Sequence, residues 1–105
     1  MSIKQYSDLY RVLREAGDQA AHGKGKQRHA TAVRFTQQEG CSEAALLGIG
    51  FPVGQARKKA LEGAARILPQ YGALAAIHEL RGSIVYLAIA ILELERQLQS
   101  TPMEE

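Results

Sequence analysis

Large apolar residues recur along the C-terminal third of the chain at alternating steps of three and four: Ile77, Leu80, Ile84, Leu87, Ile91, Leu94 and Leu98. That spacing is the apolar seam of a long helix packed on other helices. Val85, Ala88 and Leu92 set a second stripe beside it. A helix with two apolar stripes needs partners on more than one side. The pattern therefore predicts a helix from about Ala73 to Gln99, with His78–Gln99 as the organising stretch, central in a bundle or buried in a dimer.

The rest of the chain predicts shorter elements. Ile3, Tyr6, Leu9, Leu13, Ala16 and Ala20 give residues 3–21 the buried face of a first helix, with Arg11–Glu15 and Arg14–Asp18 as exposed i,i+4 pairs. Gly23 and Gly25 end it. Residues 22–38 carry no periodic apolar face and read as a loop, with a short extended piece at Thr31–Phe35. A second helical region spans 42–68, with Ser42 as N-cap and Glu43 in its first turn. Leu46, Leu47, Phe51, Leu61, Ala64, Ala65 and Leu68 form its expected stripe. Pro52 lacks a backbone donor and predicts a kink or break there. Gly50, Gly54, Ala56, Ala60 and Ala64 are small enough for close helix approach. Pro69–Gly72 reads as a turn, and residues 101–105 as a frayed tail. The expected architecture is all-α: one domain over residues 1–105, an up-down bundle of three main helices completed by dimerisation.

The 105 residues suffice for one core without staples. The single cysteine, Cys41, excludes an internal disulfide and a Cys-rich zinc site; a small apolar residue in the interior is the expectation. The N-terminus lacks the apolar core of a signal peptide. The longest uncharged apolar run, Gly82–Leu92, is short of the roughly 20 residues a bilayer needs. A cytoplasmic protein without a membrane partner is expected.

Net charge is only +2, but its distribution is uneven. Lys24, Lys26, Arg28 and Arg34 lie between Gln19 and Gln38 with His22 and His29 and no acid. Glycines alternate with lysines in Gly23-Lys24-Gly25-Lys26. Glycine lets backbone N–H groups approach an anion, lysine adds charge, and arginine grips phosphate oxygens bidentately. This is phosphate chemistry without a Walker A loop. A second basic cluster, Arg57-Lys58-Lys59, follows the small-residue segment. With Phe35 the only aromatic near the basic loop, base stacking on single strands gains little support, and nucleic acid ranks below a nucleotide. His22, His29, Cys41 and His78 match no zinc spacing, so the metal question stays open. Glu62 and Glu79, on successive helices, are the candidate catalytic carboxylates.

The segment His78-Glu-Leu-Arg-Gly-Ser-Ile-Val-Tyr-Leu87 resembles the third-helix motif of the MazG-like all-α nucleotide pyrophosphohydrolases, Glu-Leu-x-Asp followed by apolar residues. Lys58-Lys-Ala-Leu-Glu-Gly-Ala-Ala-Arg66 is similar to that family's Glu-x-x-Glu helix. The likeness covers roughly residues 55–95. It implies helical dimers or tetramers that hydrolyse nucleoside triphosphates with Mg²⁺, and it implies that Glu62 and Glu79 are the first acid of each pair. Gly82 stands where the motif has aspartate, and Ala65 or Arg66 where it has the second glutamate.

Three readings follow. The first is a homo-oligomeric module binding a phosphorylated small molecule, above all a nucleotide, through His22, Lys24, Lys26, Arg28, His29, Arg57, Lys58 and Lys59. The second is a degenerate pyrophosphohydrolase, with Mg²⁺ as cofactor only in that case. The third is a protein–protein interaction module of accessory or inhibitor type.

Overall fold

A computed structural model describes residues 3–22 and 34–100. Every element in them is helical. A 3-10 turn, Ile3–Tyr6, leads into α1 (Ser7–His22); a second 3-10 turn, Phe35–Gln37, leads into α2 (Glu39–Leu47). Then come α3 (Gly50–Glu62), a π-helical turn (Gly63–Ile67), α4 (Leu68–Tyr71) and α5 (Ala73–Ser100). The expected all-α fold is present. The expected loop is interrupted by the turn at Phe35, and residues 23–33 and 101–105 lie outside the described residues.

The second helical region differs from its sequence reading in three places, each with a local cause. It starts at Glu39, because the Ser42 N–H donates to the Gln38 carbonyl at 3.0 Å; Ser42 is inside the helix and Glu39, not Glu43, occupies the first turn. It breaks at Gly48, not at Pro52. Gly48 adopts φ 93° and ψ 171°, a conformation that side chains resist, while its N–H still closes α2 on the Ala44 carbonyl. Pro52 then falls in the first turn of α3, where its missing donor has no helical acceptor to satisfy, and it is fully buried. The region also continues through Pro69. The π-helical turn widens just before it, with the Leu68 N–H reaching back to the Gly63 carbonyl, and the chain stops only at Gly72 with φ 93°.

Helix α5 has 28 residues, roughly 42 Å of length, and every other long helix lies against it. Helix α3 runs antiparallel to it: Ser83 Oγ donates to the Ala56 carbonyl at 2.8 Å, and further along Gly63 faces Ala76 and Glu79. Helix α1 is antiparallel too, with Arg81 on Glu15 at 3.1 Å and Gln19 Nε2 donating to the His78 carbonyl at 3.0 Å. Helix α2 packs on the C-terminal half, where the Ile89 side chain lies 2.9 Å from the point a Gly40 Cβ would occupy. Most of what is buried is small: Ala16, Ala44, Ala56, Ala76, Ala90, Pro52, Gly63 and Ser83, with Ile89 the one large aliphatic and Glu93 the one charged residue among the described residues. Phe51 and Tyr86 meet edge to face at 6.3 Å between the α3 and α5 backbones.

Candidate functional site

On α5 the stripe that enters the chain's own core is not the large apolar seam. Ala76, Ser83 and Ala90, spaced by one heptad, are buried. They lie on the face toward α3, where small side chains let the two backbones approach. The seam sits to one side of them and is largely open, although the Leu80 side chain still reaches within 3.8 Å of the point a Gly63 Cβ would occupy. Ile77, Leu80, Leu87, Ile91, Leu94 and Leu98 are exposed, Leu87 at 47% and Leu98 at 74%; only Ile84 is half-buried. Of the second stripe, Val85 and Leu92 are half-buried and Ala88 is exposed.

The same inversion recurs elsewhere. The expected buried face of α1 packs only at its C-terminal end, where Ala16 is buried; Tyr6, Leu9 and Leu13 are exposed. The expected stripe of the second region is mostly outward, with Leu46, Leu47, Leu61 and Leu68 exposed and Phe51 half-buried. Of the predicted surface pairs, Arg11–Glu15 forms at 3.1 Å, whereas Arg14 and Asp18 do not pair. Burial works to raise the Glu15 carboxyl, but Arg11 and Arg81 on either side outweigh it and hold it below the ordinary carboxylate value.

The candidate catalytic acids sit at the α3/α5 crossing. Lys59 Nζ lies 3.6 Å from Glu79 Oε1. Its stem covers Gly82 so closely that a Cβ there would stand 2.9 Å from Lys59 Cδ. Position 82 is where the resembled motif has its aspartate. The structure thus brings a lysine, not a second acid, to Glu79, and a side chain at 82 would have to displace it. Glu62 is half-buried on the neighbouring turn. No group of three or more His, Cys, Asp or Glu able to hold a metal exists among the described residues.

Of the expected ligand-binding residues, Lys24, Lys26, Arg28 and His29 lie outside the described residues. His22 closes α1, exposed, with its ring Nδ1 3.1 Å from the Asp18 carbonyl. Arg57 and Lys58 are exposed on α3 and form no ion pair with a described residue; Lys59 is taken by Glu79. The flanks of the basic segment sit far apart. His22 follows Gln19, which is bonded at His78, whereas Thr36 shares a cleft with Arg96 and Gln99. Along α5 those levels are separated by roughly 30 Å.

That cleft, about 460 Å³, lies between α2 and the end of α5. Its floor holds the feature that the sequence reading missed. Glu93, which lies in the charged run Glu93-Leu-Glu-Arg-Gln97, is only 5% exposed. Arg96 Nε and Nη2 donate to its two oxygens at 2.9 and 2.7 Å, and Gln97 Nε2 donates at 3.0 Å. The Arg96 hydrogen bonds, then that of Gln97, outweigh burial and lower the Glu93 carboxyl to about 2. Cys41 is half-buried in the same cleft; burial, then the Glu93 charge, pushes its thiol up, which makes it a poor nucleophile. A Glu-x-x-Arg-Gln run on a helix was the available signal for this network.

By length and composition α5 is also apolar enough to cross a membrane, and little of that span is buried within the chain. No family model matches the sequence, and no curated protein or solved structure is significantly similar to it.

Proposed function

We propose that this chain is an assembly module that works by docking the apolar face of α5 onto another polypeptide. One observation carries the reading: the chain's own core is built mainly of alanines, while Ile77, Leu80, Leu87, Ile91, Leu94 and Leu98 of the longest helix are exposed. A contiguous apolar face of that kind marks an interaction surface. Protein suits it better than lipid. Glu79 and Arg81 sit on the same helix, paired with Lys59 and Glu15 of its neighbours. The uncharged run Gly82–Leu92 is roughly 16 Å long, about half of the ~30 Å hydrocarbon layer.

A second reading, binding of a phosphorylated ligand such as a nucleotide, is favoured by Arg57 and Lys58, exposed cations without an ion-pair partner among the described residues. Hydrolysis has less support, because Lys59 supplies the positive charge beside Glu79.

A panel on the full chain tests these readings together: particle mass, binding of an apolar dye, flotation with phosphatidylcholine/phosphatidylglycerol vesicles, and melting with nucleotides with and without Mg²⁺. Assembly expects either a particle of more than one chain or a monomer whose dye binding is lost when Leu80, Leu87 and Leu94 become Ser. A monomer that binds no dye, or flotation with vesicles, contradicts it. A nucleotide that raises the melting temperature by about 10 °C at 100 times its dissociation constant establishes the second reading.

A further inference from the structure

We infer that the polypeptide covering this face is a second copy of the same chain, with the two α5 helices antiparallel about a two-fold axis at the level of Ile89. The inference rests on the assembly reading and names the partner. Isoleucine and leucine alternate along the seam at heptad spacing from Ile77 to Leu94, and Leu98 closes it, so an antiparallel copy sets apolar residues against apolar residues throughout. Centred on residue 89, the antiparallel register packs Leu80 on Leu98 of the partner subunit, Ile84 on Leu94 of the partner subunit, and Leu87 on Ile91 of the partner subunit, each twice by symmetry.

Charge fixes the direction. Arg81 and Glu95 occupy equivalent heptad positions on one edge of the seam, two heptads apart. Near Arg81 one carboxylate, Glu15, serves two arginines, Arg11 and Arg81, which leaves a cation in surplus. Glu95 is exposed and forms no ion pair with a described residue. Antiparallel pairing sets Arg81 beside Glu95 of the partner subunit at both ends. Parallel pairing sets them instead beside Ala76 and Ala90 of the partner subunit, where neither charge is answered. Ala88, exposed beside the axis, is small enough for close approach, and opposed helix dipoles favour the same direction.

The test uses the full chain carrying Cys41→Ser. Ala88→Cys, which meets its own copy across the axis, is expected to give a disulfide-linked dimer under mild oxidation, whereas Leu87→Cys is not. In sedimentation equilibrium Arg81→Glu weakens association about 10-fold, and adding Glu95→Arg restores it. Glu15→Gln, which removes the same contact within the chain, leaves the mass unchanged. Cross-linking through Leu87→Cys and not Ala88→Cys means parallel pairing; it overturns this inference and leaves the assembly reading standing. A monomer at tens of micromolar that binds the apolar dye overturns the second copy as partner but keeps the docking face. A monomer without dye binding overturns both.

Discussion

Two faces of α5 are built on opposite rules. Toward α3 the contacts are small and polar: Ala76, Ser83 and Ala90 are buried, Ser83 is bonded to the Ala56 carbonyl, Gly63 lies against Glu79, and Gly82 lies under Lys59. On the other face the residues are large, apolar and, Ile84 excepted, open, from Ile77 to Leu98. The first face gains from close backbone approach and dispersion at short range. The second holds area that only a partner can remove from water. Apolar size along a helix therefore marks where burial energy is available, not which chain supplies the burial.

The comparison breaks most severely where α5 is buried within the chain. Ile89→Ala, which removes the large aliphatic buried on α2, is expected to cost about 2–4 kcal/mol of folding stability by urea denaturation. Gly63→Leu inserts a side chain where even a Cβ stands 3.3 Å from Glu79 Cβ, and it is expected to cost about 2–3 kcal/mol in the same assay. Ser83→Ala loses one buried hydrogen bond, about 1 kcal/mol.

Acid gives a subtler distinction. The folded Glu93 carboxyl titrates at about 2, below the ~4.3 of an unfolded glutamate. Its stabilising contribution is therefore complete above the unfolded value and is lost as pH falls through about 2. Stability measured against pH should fall across that window, and Glu93→Gln should flatten the fall. At the small end of the scale, Arg11→Ala is expected to change stability by less than about 0.5 kcal/mol, because its i,i+4 pair with Glu15 is solvent-exposed.

The sequence showed where helices run better than which way they face. The 28-residue helix was legible because heptad spacing repeats over its whole length. The break at Gly48 was displaced onto Pro52, since a proline is tolerated in a first turn and the sequence does not say where that turn begins. For α5 the two stripes left open burial in a bundle or in a dimer; which stripe turns inward was not legible, because only Ala76, Ser83, Ala90 and the glycines facing Glu79 and Lys59 record the tight crossing. Of the candidate site residues, Lys59 and Glu79 proved to be partners, which no spacing could announce, because the π-helical turn and the Gly72 turn lie between them in the chain. The burial of Glu93 was not legible because the sequence sets it among polar residues, while α2, joined through a segment without pattern, lines the same cleft.

The central claim is that the large seam lies outside the protomer and the small stripe inside it. The most direct measurement compares Leu87→Glu with Ile89→Glu, two apolar residues separated by one position but 47% and 4% exposed. Far-UV circular dichroism melts and particle mass are recorded for both. The account predicts that Ile89→Glu unfolds the chain, whereas Leu87→Glu remains helical and loses only association. Unfolding of both to the same extent, or greater damage from Leu87→Glu, would contradict it.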